Sequence, residues 1–315
     1  MFAVTRQTSA LAITILLVTI IATTIRLYLN PFSVEVAESP FMPQWWHALL
    51  SGLMLFVSAI VINRATVKIG IFGGFSALPV SVFGFVSCGI LLSPNMVVAS
   101  ATTLLMALGI MHLFRSVHLL YDKEHLFTAS LLFGVMPLIY PPTLPFVLIL
   151  LIAIFIVPFS FRQTIIALVG YLVPFATASY IHWYVGGDII DVALNIWHSL
   201  ITPAVKITLE PLPIVTAAIV VVLLLVLIYG FMVNIYNRYA MLVPVRKAVQ
   251  LSIWIFTIGA ATFAALPGCG ITVLQTAAVP TTILAAFALD RMESKLANIF
   301  YLSLVILLIV HLFFY

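Results

Sequence analysis

The chain has 315 residues, 64% of them apolar and only 7% charged, with a formal net charge of +4 and a mean hydropathy of +1.28. Soluble domains carry roughly a quarter charged residues, so this composition excludes an ordinary soluble protein and makes lipid the solvent. At about 20 residues per helical crossing, the length leaves no separate soluble domain, and residues 1–315 form a single transmembrane domain.

Apolar runs broken by charges, prolines and glycines predict an all-α, polytopic transmembrane helical bundle of about eleven spans. The first, 9–29, follows Arg6 and reaches Arg26 without a small-x-small cleavage site, so it is expected as a retained helix rather than a signal peptide. Spans at 47–63, 72–92 and 96–114 follow. The long apolar stretch 124–160 is interrupted at Tyr140-Pro141-Pro142-Thr143. Proline removes a donor and restricts its predecessor, which favours a tight hairpin between spans 124–140 and 144–160 over one kinked helix too long for a bilayer. The remaining spans are 164–184, 213–236, 248–266, 273–289 and 297–315.

With the N-terminus in the cytoplasm and the C-terminus out, Arg6, Arg64, Lys68, Arg115, Lys123, Arg162, Arg238, Arg246, Lys247, Arg291 and Lys295 all fall inside. Only Arg26 and Lys206 fall outside, a strong positive-inside bias of the kind expected for an inner (cytoplasmic) membrane. In a membrane protein such charges report topology first, so the positive net charge does not imply nucleic acid.

The two long connections, 30–46 and 185–212, face outward. The first places Glu35 and Glu38 between prolines and ahead of Trp45-Trp46. Paired acids supply a general base or ligands for a hard divalent cation, the one candidate cofactor; a solvated loop is the plainer reading. Arg26, at the outer end of the first span, either snorkels or holds a lipid phosphate, and Lys206 is the other outward cation that could do so.

In the second connection Asp188, Asp191, Asn195, His198 and Thr202 recur at spacings of three and four, which predicts one polar face on an amphipathic interfacial helix between Gly186-Gly187 and Pro203. That face meets either water or a cavity shared with Glu35 and Glu38. No acidic residue falls near the middle of a span, which counts against an ion-driven transporter. His112, His182 and His311 lie toward span ends, where an interfacial or packed histidine is the default over a metal ligand. Cys88 and Cys269 have no metal or redox spacing. Gly70-x-x-Gly73-Gly74 lacks the strand and the Gly-Lys-Ser/Thr ending of a phosphate loop.

The stretch Met106 to Gly187 carries His112-Leu-Phe-Arg115, Asp122-Lys123-Glu124, Phe133-Gly-Val-Met-Pro137-Leu-Ile-Tyr140-Pro141-Pro142 and Gly170-Tyr-Leu-Val-Pro174. It resembles a bacterial inner-membrane family of unknown function, and more distantly is similar to the membrane half of GT-C superfamily glycosyltransferases. That resemblance implies an outward-facing site using a polyprenyl-phosphate-linked sugar, with a first-loop acid, here Glu35 or Glu38, as base or metal ligand. On a catalytic reading, Arg26 is expected to hold the polyprenyl phosphate, and Asp188, Asp191 and His198 to line the acceptor side. The chain departs from that pattern in separating its two acids by Val36 and Ala37. The alternatives are a non-catalytic subunit bound to a membrane-protein partner, and a transporter of lipid or a small molecule.

Overall fold

A computed structural model of the chain describes residues 9–29, 44–72, 76–89, 96–118, 122–156, 160–202, 214–237 and 239–314. Among these residues it is all-helical, without strands. In order come α1 (Ser9–Leu29), α2 (Gln44–Ile69), α3 (Leu78–Gly89), α4 (Met96–His118) and α5 (Lys123–Ile139). A 3-10 turn (Pro141–Phe146) then leads to α6 (Val147–Ile156), α7 (Phe161–Tyr184), α8 (Asp191–Ile201), α9 (Ile214–Tyr236), α10 (Val243–Ala265), α11 (Ile271–Arg291) and α12 (Ser294–Phe314).

Seven of the described helices are long and apolar enough to cross a membrane, those built on α2, α4, α7, α9, α10, α11 and α12. Shorter apolar helices cover Leu11–Ala22, Leu78–Ser87 and Pro141–Ile156, and α5 has 17 residues. This is the architecture of a helical membrane protein.

The expected break at Tyr140 is present, and its shape follows from proline chemistry. Pro141, Pro142 and Pro145 lack the N–H groups an α-turn needs, so the chain winds as a tight 3-10 turn, closed by Thr143 Oγ1 donating to Tyr140 O at 2.7 Å. α5 and α7 run parallel, since Gly170 lies against Phe127 while Gly134 lies against Tyr171 and Pro174. The segment between them therefore returns to the end from which α5 started. Both crossing points are glycines pressed on backbone: a Cβ at Gly170 would meet Phe127 O at 2.9 Å, and one at Gly134 would collide with Tyr171 O. Small residues at such crossings let helices approach where lipid supplies no hydrophobic drive.

α11 is the central helix, with 94% of its span buried, packed by α3, α4, α9 and α10. Its threonines satisfy their hydroxyls on their own helix: Thr276 donates to Thr272 O at 3.0 Å, and Thr281 and Thr282 donate to Ala277 O and Ala278 O at 2.7 Å each. Such back-bonding admits polar side chains without a partner helix.

Contacts between helices fix their relative directions. Ser116 Oγ donates to Asp122 O at 3.3 Å where α4 gives way to α5, and Tyr140 sets the end of α5 beside the start of α11, so α4 and α11 run parallel, joined at Thr102–Thr276 and Thr103–Gln275 O. With the short connections α4–α5, α10–α11 and α11–α12 and the parallel α5 and α7, this brings Arg115, Lys123, Arg162, Arg246, Lys247, Arg291 and Lys295 to one end of the bundle. The opposite end holds the Tyr140 turn, the α10–α11 connection and α8, where Gly270 N donates to Tyr140 Oη at 2.9 Å.

Candidate functional site

The cation-poor end carries the described part of the predicted site. α7 finishes in Tyr180, Ile181, Trp183 and Tyr184, all more than half exposed. The chain then turns through Gly186, whose φ of +102° suits a residue without Cβ. Gly187 follows, and any Cβ there would strike the His182 ring. The two glycines thus let the chain fold back closely over the end of α7.

That fold-back brings Asp191, the first residue of α8, onto His182. Asp191 Oδ2 accepts from His182 Nε2 at 3.2 Å and from Asp188 N at 3.1 Å. The backbone donor of Asp188 first, and the His182 side chain second, hold the Asp191 carboxyl below the usual carboxylate range. With Nε2 as the donor, a neutral His182 keeps Nδ1 as a lone-pair nitrogen, the arrangement of an aspartate-oriented base. Both side chains are roughly two-fifths exposed, at 42% and 43%.

α8 begins at Asp191, one turn later than the glycine pair suggests, so Asp188 lies in the turn before the helix and off its face. Its backbone N–H is spent on Asp191, which ties down the turn that a longer helix would have continued. The helix itself has three sides. Ile196 and Leu200 are buried, toward the 3-10 turn and α7; Gly268 lies on the carbonyls of Ser199, Leu200 and Thr202. Leu194, Trp197 and Ile201 are exposed apolar residues on a second side. Asn195, His198 and Thr202 are exposed on the third, next to Asp191 and turned away from the Ile196–Leu200 strip. The apolar residues of the helix are divided between core and surroundings.

Of the other predicted residues, Glu35, Glu38 and Lys206 lie outside the described residues. Arg26 lies near the end of α1, and its side chain lies outside them too. Among the described residues no three His, Cys, Asp or Glu side chains group as for a metal ion. All described carboxylates, namely Asp122, Glu124, Asp188, Asp191, Asp290 and Glu293, sit at or next to helix ends.

Three further features join the predicted residues. His182, at a span end where an interfacial or packed histidine is expected, has a spacing to Asp191 that gives no periodic signal because the turn between them is not helical. His112 and His125 pair across α4 and α5, Nδ1 to Nδ1, at 3.2 Å. Gln275 is fully buried beside Thr102, Thr103 and Thr276, with neither amide atom hydrogen-bonded. The spacing Thr272, Gln275, Thr276 in the first half of α11 was the available signal. Comparison of the chain with protein-family models, curated proteins and solved structures finds no match in any of the three.

Proposed function

We propose that the chain is a multi-pass protein of a bacterial inner membrane, with about eleven crossings, a cytoplasmic N-terminus and GT-C-like organisation. In this reading an outward-facing site serves cell-envelope glycan or polyprenyl-phosphate-sugar metabolism. The cation-rich end faces the cytoplasm. The observation that supports an outward site is the His182–Asp191 pair, a half-exposed base with its orienting carboxylate at the cation-poor end, on the same two helices as exposed Tyr180, Trp183, Tyr184 and Trp197. Exposed Tyr and Trp favour the headgroup level of a bilayer. α7 has 24 residues, and at 1.5 Å per residue spans about 36 Å, enough for the hydrocarbon core.

In this reading Glu35 or Glu38, or His182 oriented by Asp191, takes the proton of an acceptor hydroxyl. The hydroxyl oxygen attacks the anomeric carbon of the donor sugar, and the polyprenyl phosphate departs against Arg26 and Lys206. Asp188 and His198 line the acceptor side, and a divalent cation is a candidate companion of Glu35 and Glu38. The deciding measurement is sugar transfer from a polyprenyl-phosphate sugar by wild type, Glu35→Gln, Glu38→Gln and His182→Ala. Loss of a general base lowers the rate about a hundredfold or more; equal rates in all four would end the catalytic reading.

One observation favours a second reading, a non-catalytic subunit of a membrane complex. Asp191 is occupied by Asp188 N as well as His182, which makes the pair a lock on the α7–α8 turn. A stoichiometric partner that co-purifies with the wild type, together with unchanged transfer in the variants above, is the result expected of it.

A further inference from the structure

The cation-rich end carries a cluster that the proposed function does not use. At the turn from α4 to α5, His112 and His125 hold their Nδ1 atoms 3.2 Å apart, with the rings tilted by 56°. One helical turn beyond His112, on the same side of α4, Arg115 has its Nε buried without a hydrogen-bond partner. A desolvated guanidinium nitrogen with no acceptor is expensive, and the acids of the same turn do not relieve it. Asp122 Oδ1 accepts from Glu124 N as the N-cap of α5, Glu124 is exposed, and neither forms an ion pair with Arg115. Only one proton fits between two imidazole nitrogens at that separation, so the histidines satisfy each other and leave Arg115 aside.

We infer that the last turns of α4 and the start of α5 bind the phosphate of an anionic lipid headgroup, with Arg115 as the principal donor and Lys123 contributing charge. A guanidinium fork matches phosphate oxygens, and a partly buried one loses little further solvation on binding. A metal cation is disfavoured at the same histidines, because Arg115 repels it and no third ligand groups with them among the described residues. A lipid, rather than a soluble anion, is favoured by the setting. Arg115 is in the last turns of Val97–Val117, a helix long and apolar enough to cross a membrane, and exposed Lys123 shares its end of the bundle. Basic residues at that level draw anionic headgroups.

The test uses the full chain in a neutral detergent, titrated with short-chain phosphatidylglycerol, short-chain phosphatidylcholine or inorganic phosphate, with retention read by native mass spectrometry. Phosphatidylglycerol is expected to bind in preference to phosphatidylcholine. Arg115→Met should weaken it about tenfold, the loss of one charge-assisted contact, while Arg162→Gln should leave it unchanged. Should Arg115→Met not fold, Arg115→Lys, which keeps the charge and loses the fork, is expected to weaken retention by a smaller factor. Equal retention of the two lipids, unchanged retention in both Arg115 variants, or displacement of phosphatidylglycerol by inorganic phosphate at equal concentration would each overturn the assignment.

Discussion

His182 Nε2 and Asp191 Oδ2 stand 3.2 Å apart across the turn joining α7 to α8, and the glycine that makes this approach feasible is Gly187, whose missing side chain leaves the space the imidazole fills. Gly187→Ala is therefore expected to displace His182 and break the pair without altering either partner. Amide hydrogen exchange across 188–196 should rise to the level of Asp191→Asn, while exchange in α11 stays unchanged. Because the pair is half exposed, the effect is local rather than global.

The same pair predicts a response to acid. The carboxyl of Asp191 titrates below its ordinary value of 3.8 in the folded chain, mainly through the Asp188 N–H and then through His182. Its contribution is therefore complete above that ordinary value and disappears as pH falls through the lower, folded one. Fluorescence of Trp183 and Trp197 should report loosening of α8 only in that acid window, and Asp191→Asn should abolish the transition. A transition unchanged in Asp191→Asn would assign it to another group.

Gly134 presses on Tyr171 O where α5 crosses α7. Since the obstacle is backbone, the clash cannot be relieved by a rotamer change, and Gly134→Val is expected to destabilise the bundle by about 1–3 kcal/mol. Thermal unfolding in detergent checks this. Gly70, with a φ of +77° and open space about its Cβ position, is the contrasting glycine, where the strain of substitution comes from the backbone conformation alone.

Gln275 keeps both amide atoms buried and unpaired on the central helix. Gln275→Met conserves the shape and removes the polar atoms, so a gain of about 1–3 kcal/mol is expected. The hydroxyl of Thr103 accompanies the exchange unchanged, because it donates to the backbone O of Gln275 at 3.3 Å. A loss of stability in the variant would mean that the amide has a partner in the native membrane.

Tyr140 Oη accepts from Gly270 N at 2.9 Å, tying the proline turn to the start of α11. Tyr140→Phe orphans that N–H and is expected to cost about 1–2 kcal/mol. The Cys269 thiol next to it, pushed up to about 11 by burial, should stay unreactive toward maleimide in wild type and become accessible in the variant.

The solvent of this protein, its helical class, the break at Tyr140 and the gathering of lysines and arginines were legible in the sequence by itself. Each depends on local composition: a run of apolar residues, a cluster of prolines, a charge at a helix end. α8 was legible as a helix for the same reason, through the spacing of Asp191, Asn195 and His198. Its start was not, because a two-glycine turn carries no period, and so Asp188 was placed on a face it does not share. Only the tertiary structure decided that Asp191 meets His182, that His112 meets His125, that Arg115 keeps a buried Nε, and that Gln275 faces only the helix core. Such pairings depend on the rotation and depth of one helix against another, and in a chain whose helices are apolar nearly all round, composition leaves those two quantities open.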